Sequence, residues 1–410
     1  MTDIDRREFL RRTAVAGMGV GLLPAIAEAM AREHPPRVRR RVRLGRTGLE
    51  VPDIGFGGSR LSGDEALVRH ALDRGITYFD TAESYTGGDS EATLGSALQG
   101  SRERVTIATK VQASASATRD EMMAALEGSL RRLRTDHVDV YFLHAVNAVE
   151  RIANPEWPEL VARAKQQGKI RWSGMSGHGG RLVSCVDHAL DHDLVDVLLL
   201  GYNFGQDPSF TQRFTASFDF VAVQPDLPRV MAKARERDVG VIAMKTLRGA
   251  RLNDMRRYEG EGATFAQAAF RWVLSGGYAD SLVVTMRSPE MVDEYLGASG
   301  SGASTRADAA LLYAYERSQG TLQCRYGCDA CLDACPDAVP IAEVLRTRMY
   351  AEDYEDESLA RGDYAALGDG AAACVGCEHQ RCAGACPFGL SIPDLTAPTH
   401  LRLGAPRAAS

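Results

Sequence analysis

Eight cysteines crowd one short stretch of this chain. They stand as Cys324-x₃-Cys328-x₂-Cys331-x₃-Cys335-Pro336 and Cys374-x₂-Cys377-x₄-Cys382-x₃-Cys386-Pro387, while the ninth, Cys185, lies far upstream. Short spacing lets successive thiolates converge on one small cube of iron and sulfide. Two Cys₄ zinc sites would use the same eight residues, though the C-x₃-C-P endings are unusual for zinc. Four disulfides are conceivable in an oxidising compartment, but spacings this short make bonds within a run awkward. For Cys185 the default is a buried core thiol.

A second set of candidates closes short apolar runs: Asp80, Lys110, His144, Ser176, Asn203, Lys245 and Arg287. A lone polar residue at such a place most simply solvates a rim. Lysine is scarce here, with only Lys110, Lys165, Lys169, Lys233 and Lys245 in an arginine-rich chain. A lysine here is therefore worth inspecting, and at Lys110 a compact ammonium suits a point charge that must approach a phenol edge-on.

The elements that must position these groups repeat from Val42 to about Gly297, where short apolar runs alternate with amphipathic helical stretches. Candidate strands run Asp53–Gly57, Thr77–Phe79, Val105–Thr109, Val138–Leu143, Ile170–Met175, Val195–Leu200, Val241–Met244 and Leu282–Thr285. They are Val-, Ile- and Leu-rich without strict alternation, as strands buried on both faces are. Before the fourth, Thr118 and Glu121 form a capping box, and Met122, Leu126, Leu130 and Leu133 follow at helical spacing. Eight such units make an α/β chain with a (β/α)₈ TIM barrel over residues 40–298, whose active site belongs at the carboxyl ends of the strands. Val42–Pro52 reads as a hairpin plugging the barrel floor. The loop from Phe204 to Leu227 carries Phe210, Phe214, Phe218 and Phe220 and is either a substrate lid or a packed Ω-like loop. Residues 299–305, rich in Gly and Ser, read as a flexible linker to a small, mainly helical iron–sulfur domain over 306–400.

Gly75–Tyr85 (GITYFDTAESY) and Leu130–His144 (LRRLRTDHVDVYFLH) resemble two signatures of the aldo/keto reductases, with Ala108-Thr109-Lys110 between them. Val51–Gly58 and Gly240–Lys245 are similar to the family as well. The resemblance implies hydride exchange between a nicotinamide and a small carbonyl or alcohol. Tyr85 would be the general acid, Lys110 would ease loss of its proton, Asp80 would fix Lys110, and His144 would orient the carbonyl. For the cofactor, it implies Ser176 at the carboxamide, Tyr202 stacked on the nicotinamide, Lys245 nearby, and Arg287-Ser288 gripping a 2′-phosphate. That favours NADP over NAD. The chain departs from the family pattern at Gly177, where Asn is frequent, at Leu199 for Gln, at Asp293 for Arg and at Tyr295 for Asn.

The cysteine runs resemble bacterial two-cluster ferredoxins, in which the fourth Cys of each run serves the other cluster. They are similar to the iron–sulfur tails on one branch of aldo/keto reductases. The resemblance implies two [4Fe–4S] clusters, one on Cys324, Cys328, Cys331 and Cys386, the other on Cys374, Cys377, Cys382 and Cys335. The intervening Ile341–Ala373 reads helical and polar.

Asp5-Arg6-Arg7-Glu8-Phe9-Leu10, a short apolar stretch and Ala29-Met30-Ala31 together look like a twin-arginine signal over residues 1–31. The expected destination is export as a folded (periplasmic) protein, with a cytoplasmic chain as the alternative. A net charge of −6 without a basic stripe argues against nucleic acid, and no apolar run is long enough to span a membrane. Nicotinamide moves electrons in pairs and clusters move them singly. The clusters therefore either serve an external one-electron carrier or are structural. A different class of function is a non-catalytic, nucleotide-binding barrel acting as sensor or scaffold for an electron-transfer module.

Overall fold

A computed structural model of the chain describes residues 35–205, 224–247, 259, 264–319, 324, 328, 330–352, 357–368 and 370–404. The signal-like segment 1–31 and Phe210, Phe214, Phe218 and Phe220 of the long loop lie outside the described residues.

Two short strands, β1 (Arg41–Arg43) and β2 (Glu50–Pro52), form an antiparallel hairpin. Eight parallel strands follow: β3 (Ile54–Gly57), β4 (Tyr78–Asp80), β5 (Thr106–Val111), β6 (Val138–Leu143), β7 (Ile170–Gly177), β8 (Val197–Gly201), β9 (Gly240–Met244) and β10 (Ser281–Thr285). Each pairs with the next, and β10 pairs with β3 (Leu282 opposite Ile54), closing the barrel. The interior is packed by Tyr78, Val140, Phe142, Val197, Leu199 and Ile242, and the hairpin plugs its floor with Leu44 and Val51. Gly174 on β7 makes room for this filling, since a Cβ there would stand 2.6 Å from the Phe142 ring and 2.2 Å from the Val197 carbonyl oxygen.

The outer ring is α1 (Glu65–Asp73), α2 (Asp89–Ala97), α3 (Arg119–Leu133), α4 (Val149–Ile152), α5 (Glu156–Gln166), α6 (Leu182–Asp191), α7 (Leu227–Glu236), α8 (Phe265–Ser275) and α9 (Pro289–Leu296). The capping box at Thr118 and Glu121 starts α3. Its buried stripe of Met122, Leu126, Leu130 and Leu133 faces the barrel.

The expected linker is a correction. Ser299 donates to Asp53 Oδ1 at 2.6 Å, and the Gly300 amide donates to Oδ2 at 2.7 Å, so 299–305 is tied to the barrel floor. The next helix, α10 (Arg306–Gln319), also belongs to the barrel. It buries Leu311, Leu312 and Tyr315 in the barrel's outer core, and a buried Arg271–Asp308 ion pair fixes it to α8. Glycine and serine composition suggests freedom, but one buried carboxylate with two donors removes it.

Beyond α10, helices α11 (Ile341–Glu352), α12 (Glu357–Ala365) and α13 (Ile392–Leu403) share a separate small core around Val344, Leu345, Met349, Tyr364 and Ile392. This helical unit sits over the barrel mouth. Asn147 Nδ2 donates to Glu343 Oε1 of α11 at 2.6 Å, and α12 packs on the 3₁₀ turn Tyr85–Gly88. Among the described residues no helix is long and apolar enough to cross a membrane.

Candidate active site

Lys110 organises the pocket at the barrel mouth. It lies in β5, one strand over from Asp80 at the end of β4, and both side chains are buried. Its Nζ donates to Asp80 Oδ1 at 2.7 Å, to the Thr81 carbonyl at 2.6 Å and to Tyr85 Oη at 3.3 Å. An ammonium has no acceptor, so the Tyr85 hydroxyl must point its own hydrogen elsewhere. His144 follows β6, and its ring meets the Tyr85 ring edge-on at 5.6 Å. All four residues line one pocket. They come from three consecutive strand ends and one adjoining turn.

The site's electrostatics follow from dryness. Burial pushes the Asp80 carboxyl up and the Lys110 ammonium down, each opposed by the charge of the other. Burial, and then the Asp80 charge, hold the Tyr85 phenol well above its usual value. Tyr85 therefore keeps its proton, as an acid must. Burial, and then the Lys110 charge, hold His144 well below the usual imidazole value, so its ring is neutral near pH 7. His144 Nδ1 and Asp80 Oδ2 are buried and find no hydrogen-bond partner among the described residues.

Ser176 and Lys245 line the same pocket. Ser176 Oγ accepts from the Ala145 amide at 2.9 Å. Lys245 takes a left-handed backbone, φ 57°, and its carbonyl accepts from Asn203 Nδ2 at 3.3 Å. Tyr202 is not brought to the pocket: it is fully buried and packs against Trp272 and Tyr278. Arg287 is exposed at the start of α9, and Ser288 caps that helix by accepting from the Met291 amide. The departures at 177, 199, 293 and 295 have local reasons. A Cβ at Gly177 would stand 2.5 Å from Leu182 Cδ1 and 3.0 Å from the Val146 carbonyl oxygen. Leu199 fills the barrel interior. Asp293 pairs with Arg74 at 2.7 Å and His70 at 2.9 Å, clamping α9 to α1. Tyr295 packs edge-on against Phe270 of α8.

Sequence reasoning passed over four neighbours. Arg151 of α4 donates to three carbonyls, those of Ala113, Ala145 and His144, at 2.7–2.8 Å, and so fixes the backbone that presents His144. His178, Tyr350 and Asp363 complete the pocket wall. His178 lay two residues past Ser176 and could have been read with it. Nothing in the polar helices of 341–373 signalled that they dock over a barrel.

The sequence pattern of the aldo/keto reductase family matches residues 53–261, half of the chain. The chain belongs to that family. As a family member it is 32% identical over 183 residues to L-galactose dehydrogenase of Arabidopsis thaliana, covering 40% of this chain and 57% of that protein. It is 37% identical over 135 residues to methylglyoxal reductase YeaE of Escherichia coli strain K12, covering 31% and 46%. This aldo/keto reductase spans about half the length of the curated relatives it matches. The solved structure of aldo-keto reductase AKR11C1 from Bacillus halodurans superposes with a TM-score of 0.54 at 21% identity, covering 67% of this chain and 95% of that one. That likeness shows the fold.

In the helical unit of this aldo/keto reductase the cysteines gather in two groups that cross the runs. Burial pushes the Cys324 thiol up to about 12 against the opposing charge of Arg346, and Cys328, Cys331 and Cys386 are the thiols around it. Cys382 is raised by burial, with Cys374, Cys335 and Cys377 around it. Among the described residues no disulfide is formed, and no three His, Cys, Asp or Glu side chains stand close enough to share a single metal ion. Cys185 is fully buried in the barrel's outer core, its thiol pushed up to about 11.

Proposed function

We propose that this protein is a nicotinamide-dependent oxidoreductase acting on a small carbonyl or alcohol, and that its helical unit carries two [4Fe–4S] clusters. The first reading rests on one observation: Lys110 Nζ contacts both Asp80 and Tyr85 in a buried pocket whose other wall is His144. Relatives named as a galactose dehydrogenase and a methylglyoxal reductase favour the same chemistry.

The bound nicotinamide supplies or accepts the hydride. In the reducing direction, negative charge grows on the carbonyl oxygen as its carbon is reduced. The Tyr85 proton faces the pocket and passes to that oxygen. Lys110 donates to Tyr85 Oη and stabilises the phenolate left behind, while Asp80 holds the ammonium in place. Neutral His144 has one N–H to give, and donates it to the same oxygen. Ser176 would meet the carboxamide and Lys245 would lie beside the nucleotide. Arg287, at the N-terminus of α9, would meet a 2′-phosphate, which favours NADP over NAD. Tyr202 holds no such place. A non-catalytic sensor would have no use for a buried acid–ammonium pair at a phenol.

The cluster reading is supported by the two thiol groups, Cys324, Cys328, Cys331 with Cys386 and Cys374, Cys377, Cys382 with Cys335. The clusters would pass single electrons to an external carrier or brace the roof over the barrel. Export through a twin-arginine route is part of the proposal, with a cytoplasmic protein as the alternative. An exported protein would carry its nucleotide with it.

The deciding experiment is an anaerobic preparation assayed together for iron, acid-labile sulfide, bound nucleotide and turnover on a carbonyl panel. Carbonyl turnover that Tyr85→Phe abolishes is the expected result. Turnover that survives in Tyr85→Phe would overturn the assignment.

A further inference from the structure

We propose that Arg151 is a positioning residue for both reaction partners: through the two peptides that follow His144 it fixes the imidazole, and through Ser176 it strengthens the hydrogen bond offered to the nicotinamide carboxamide. The inference rests on the hydride-transfer reading, which puts the carboxamide at Ser176.

Two successive peptide groups are stretched between these two residues. The His144 carbonyl accepts from Arg151 Nη2 at 2.8 Å, and the other end of that peptide, the Ala145 amide, donates to Ser176 Oγ at 2.9 Å. The Ala145 carbonyl accepts from Arg151 Nη1 at 2.7 Å, and the Val146 amide of the same peptide donates to the Ser176 carbonyl at 2.7 Å. Ala145 between them is left-handed, φ 50°, a backbone that a non-glycine residue keeps only where its surroundings over-determine it. Arg151 Nε donates at 2.8 Å to the carbonyl of Ala113, just past the end of β5, so the same guanidinium also reaches the loop beyond the strand of Lys110.

A planar fork can serve two adjacent carbonyls and a third in another loop, which a single ammonium cannot. Among the described residues no carboxylate pairs with Arg151, so its charge acts on these peptides undiluted. A charged donor at a carbonyl polarises the amide and makes its N–H a stronger donor to Ser176 Oγ; the Ser176 O–H becomes a stronger donor in turn. Every bond along this chain points the same way. A hydroxyl that accepts from an amide still has its own proton to give. Ser176 Oγ lines the catalytic pocket, and among the described residues no protein group takes that proton. A carboxamide oxygen is the acceptor that completes the chain. One cation thus sets both the imidazole and the carboxamide donor, and a nucleotide bound at Ser176 tightens the turn that carries His144.

The test is calorimetry on the full-length, anaerobically prepared protein, comparing NADPH with 2′-phospho-ADP-ribose, which keeps the adenosine side and lacks the nicotinamide. Arg151→Met is expected to weaken NADPH about tenfold and to leave the fragment unchanged. Ser176→Ala is expected to do the same, and Arg151→Met added to Ser176→Ala to cost nothing further. At saturating NADPH, Arg151→Met should still lose about tenfold in kcat on the carbonyl panel, because the His144 turn is loosened. Nucleotide and fragment weakened alike, or losses that simply add, would overturn the proposal and leave Arg151 a brace of the fold; an unchanged kcat would remove His144 from it. If the melting temperature shows that Arg151→Met does not fold, Arg151→Gln, which keeps two donors without the charge, carries the same expectations. Carbonyl turnover with NADPH binding indifferent to Arg151 defeats this inference and leaves hydride transfer standing. A wild type that binds neither NADPH nor the fragment defeats the nucleotide reading itself.

Discussion

The Nζ of Lys245 donates a 2.9 Å hydrogen bond to the Tyr350 hydroxyl, joining the residue after β9 to a helix of the cysteine-bearing unit. Lys245 does this from a left-handed backbone at φ 57°, a conformation that costs a non-glycine residue about 1–2 kcal/mol. Surrounding structure must over-determine it, and the Asn203 bond to its carbonyl contributes. The catalytic pocket is thus assembled from both parts of the chain.

Tyr85→Phe removes the hydroxyl to which Lys110 donates. Loss of about 10²–10⁴-fold in kcat is expected, with nucleotide affinity unchanged. Steady-state kinetics and a fluorescence titration of bound nucleotide check the two halves separately.

Lys110→Met leaves Asp80 charged and buried with no counter-ion. Urea unfolding should show a loss of about 3–5 kcal/mol. The double variant Asp80→Asn/Lys110→Met removes both charges and should recover most of that stability without recovering activity. Recovery of activity in the double variant would deny Lys110 its role at the phenol.

Stability should fall as pH drops below about 6.5. Burial holds His144 and His178 well below 6.5 in the folded chain, so the folded state refuses protons that the unfolded state accepts. The contribution is complete above the unfolded value and is lost on acidification, at up to about 1.4 kcal/mol per pH unit for each imidazole. Urea midpoints between pH 5.5 and about 7.5 would show the slope, and His144→Gln should roughly halve it. In the same range turnover should show no inflection from His144.

Cys386→Ser and Cys335→Ser test the crossed thiol groups. Each should lower iron from about eight to about four atoms per chain. Cys386→Ser should match Cys324→Ser in its electron paramagnetic spectrum, and Cys335→Ser should match Cys374→Ser. If Cys386→Ser instead resembles Cys374→Ser, each run closes its own cluster.

The barrel was legible because its strands are buried on both faces, and Val138–Leu143 was located to the residue. The four groups that meet at the pocket were legible because each sits at a strand end or one turn beyond. Tyr202 was misplaced because residues just past β8 can turn inward or outward, and Trp272 of α8 draws this ring outward. The linker misled because composition reports chain freedom, and Asp53, two hundred and more residues upstream, supplies the restraint. Tyr350 and Asp363 were invisible because docking between two folded units leaves no periodic mark in either.

The chain leaves the barrel at its floor, where Asp53 holds Ser299 and Gly300, yet its next unit rests on the opposite end. The ascent is made along the outer wall by α10, whose fourteen residues rise ~21 Å. Leu312, Tyr315 and the Asp308–Arg271 ion pair hold that helix flat against the barrel wall. Inserting or deleting a turn in it would carry those anchors out of register without touching a single residue of the pocket.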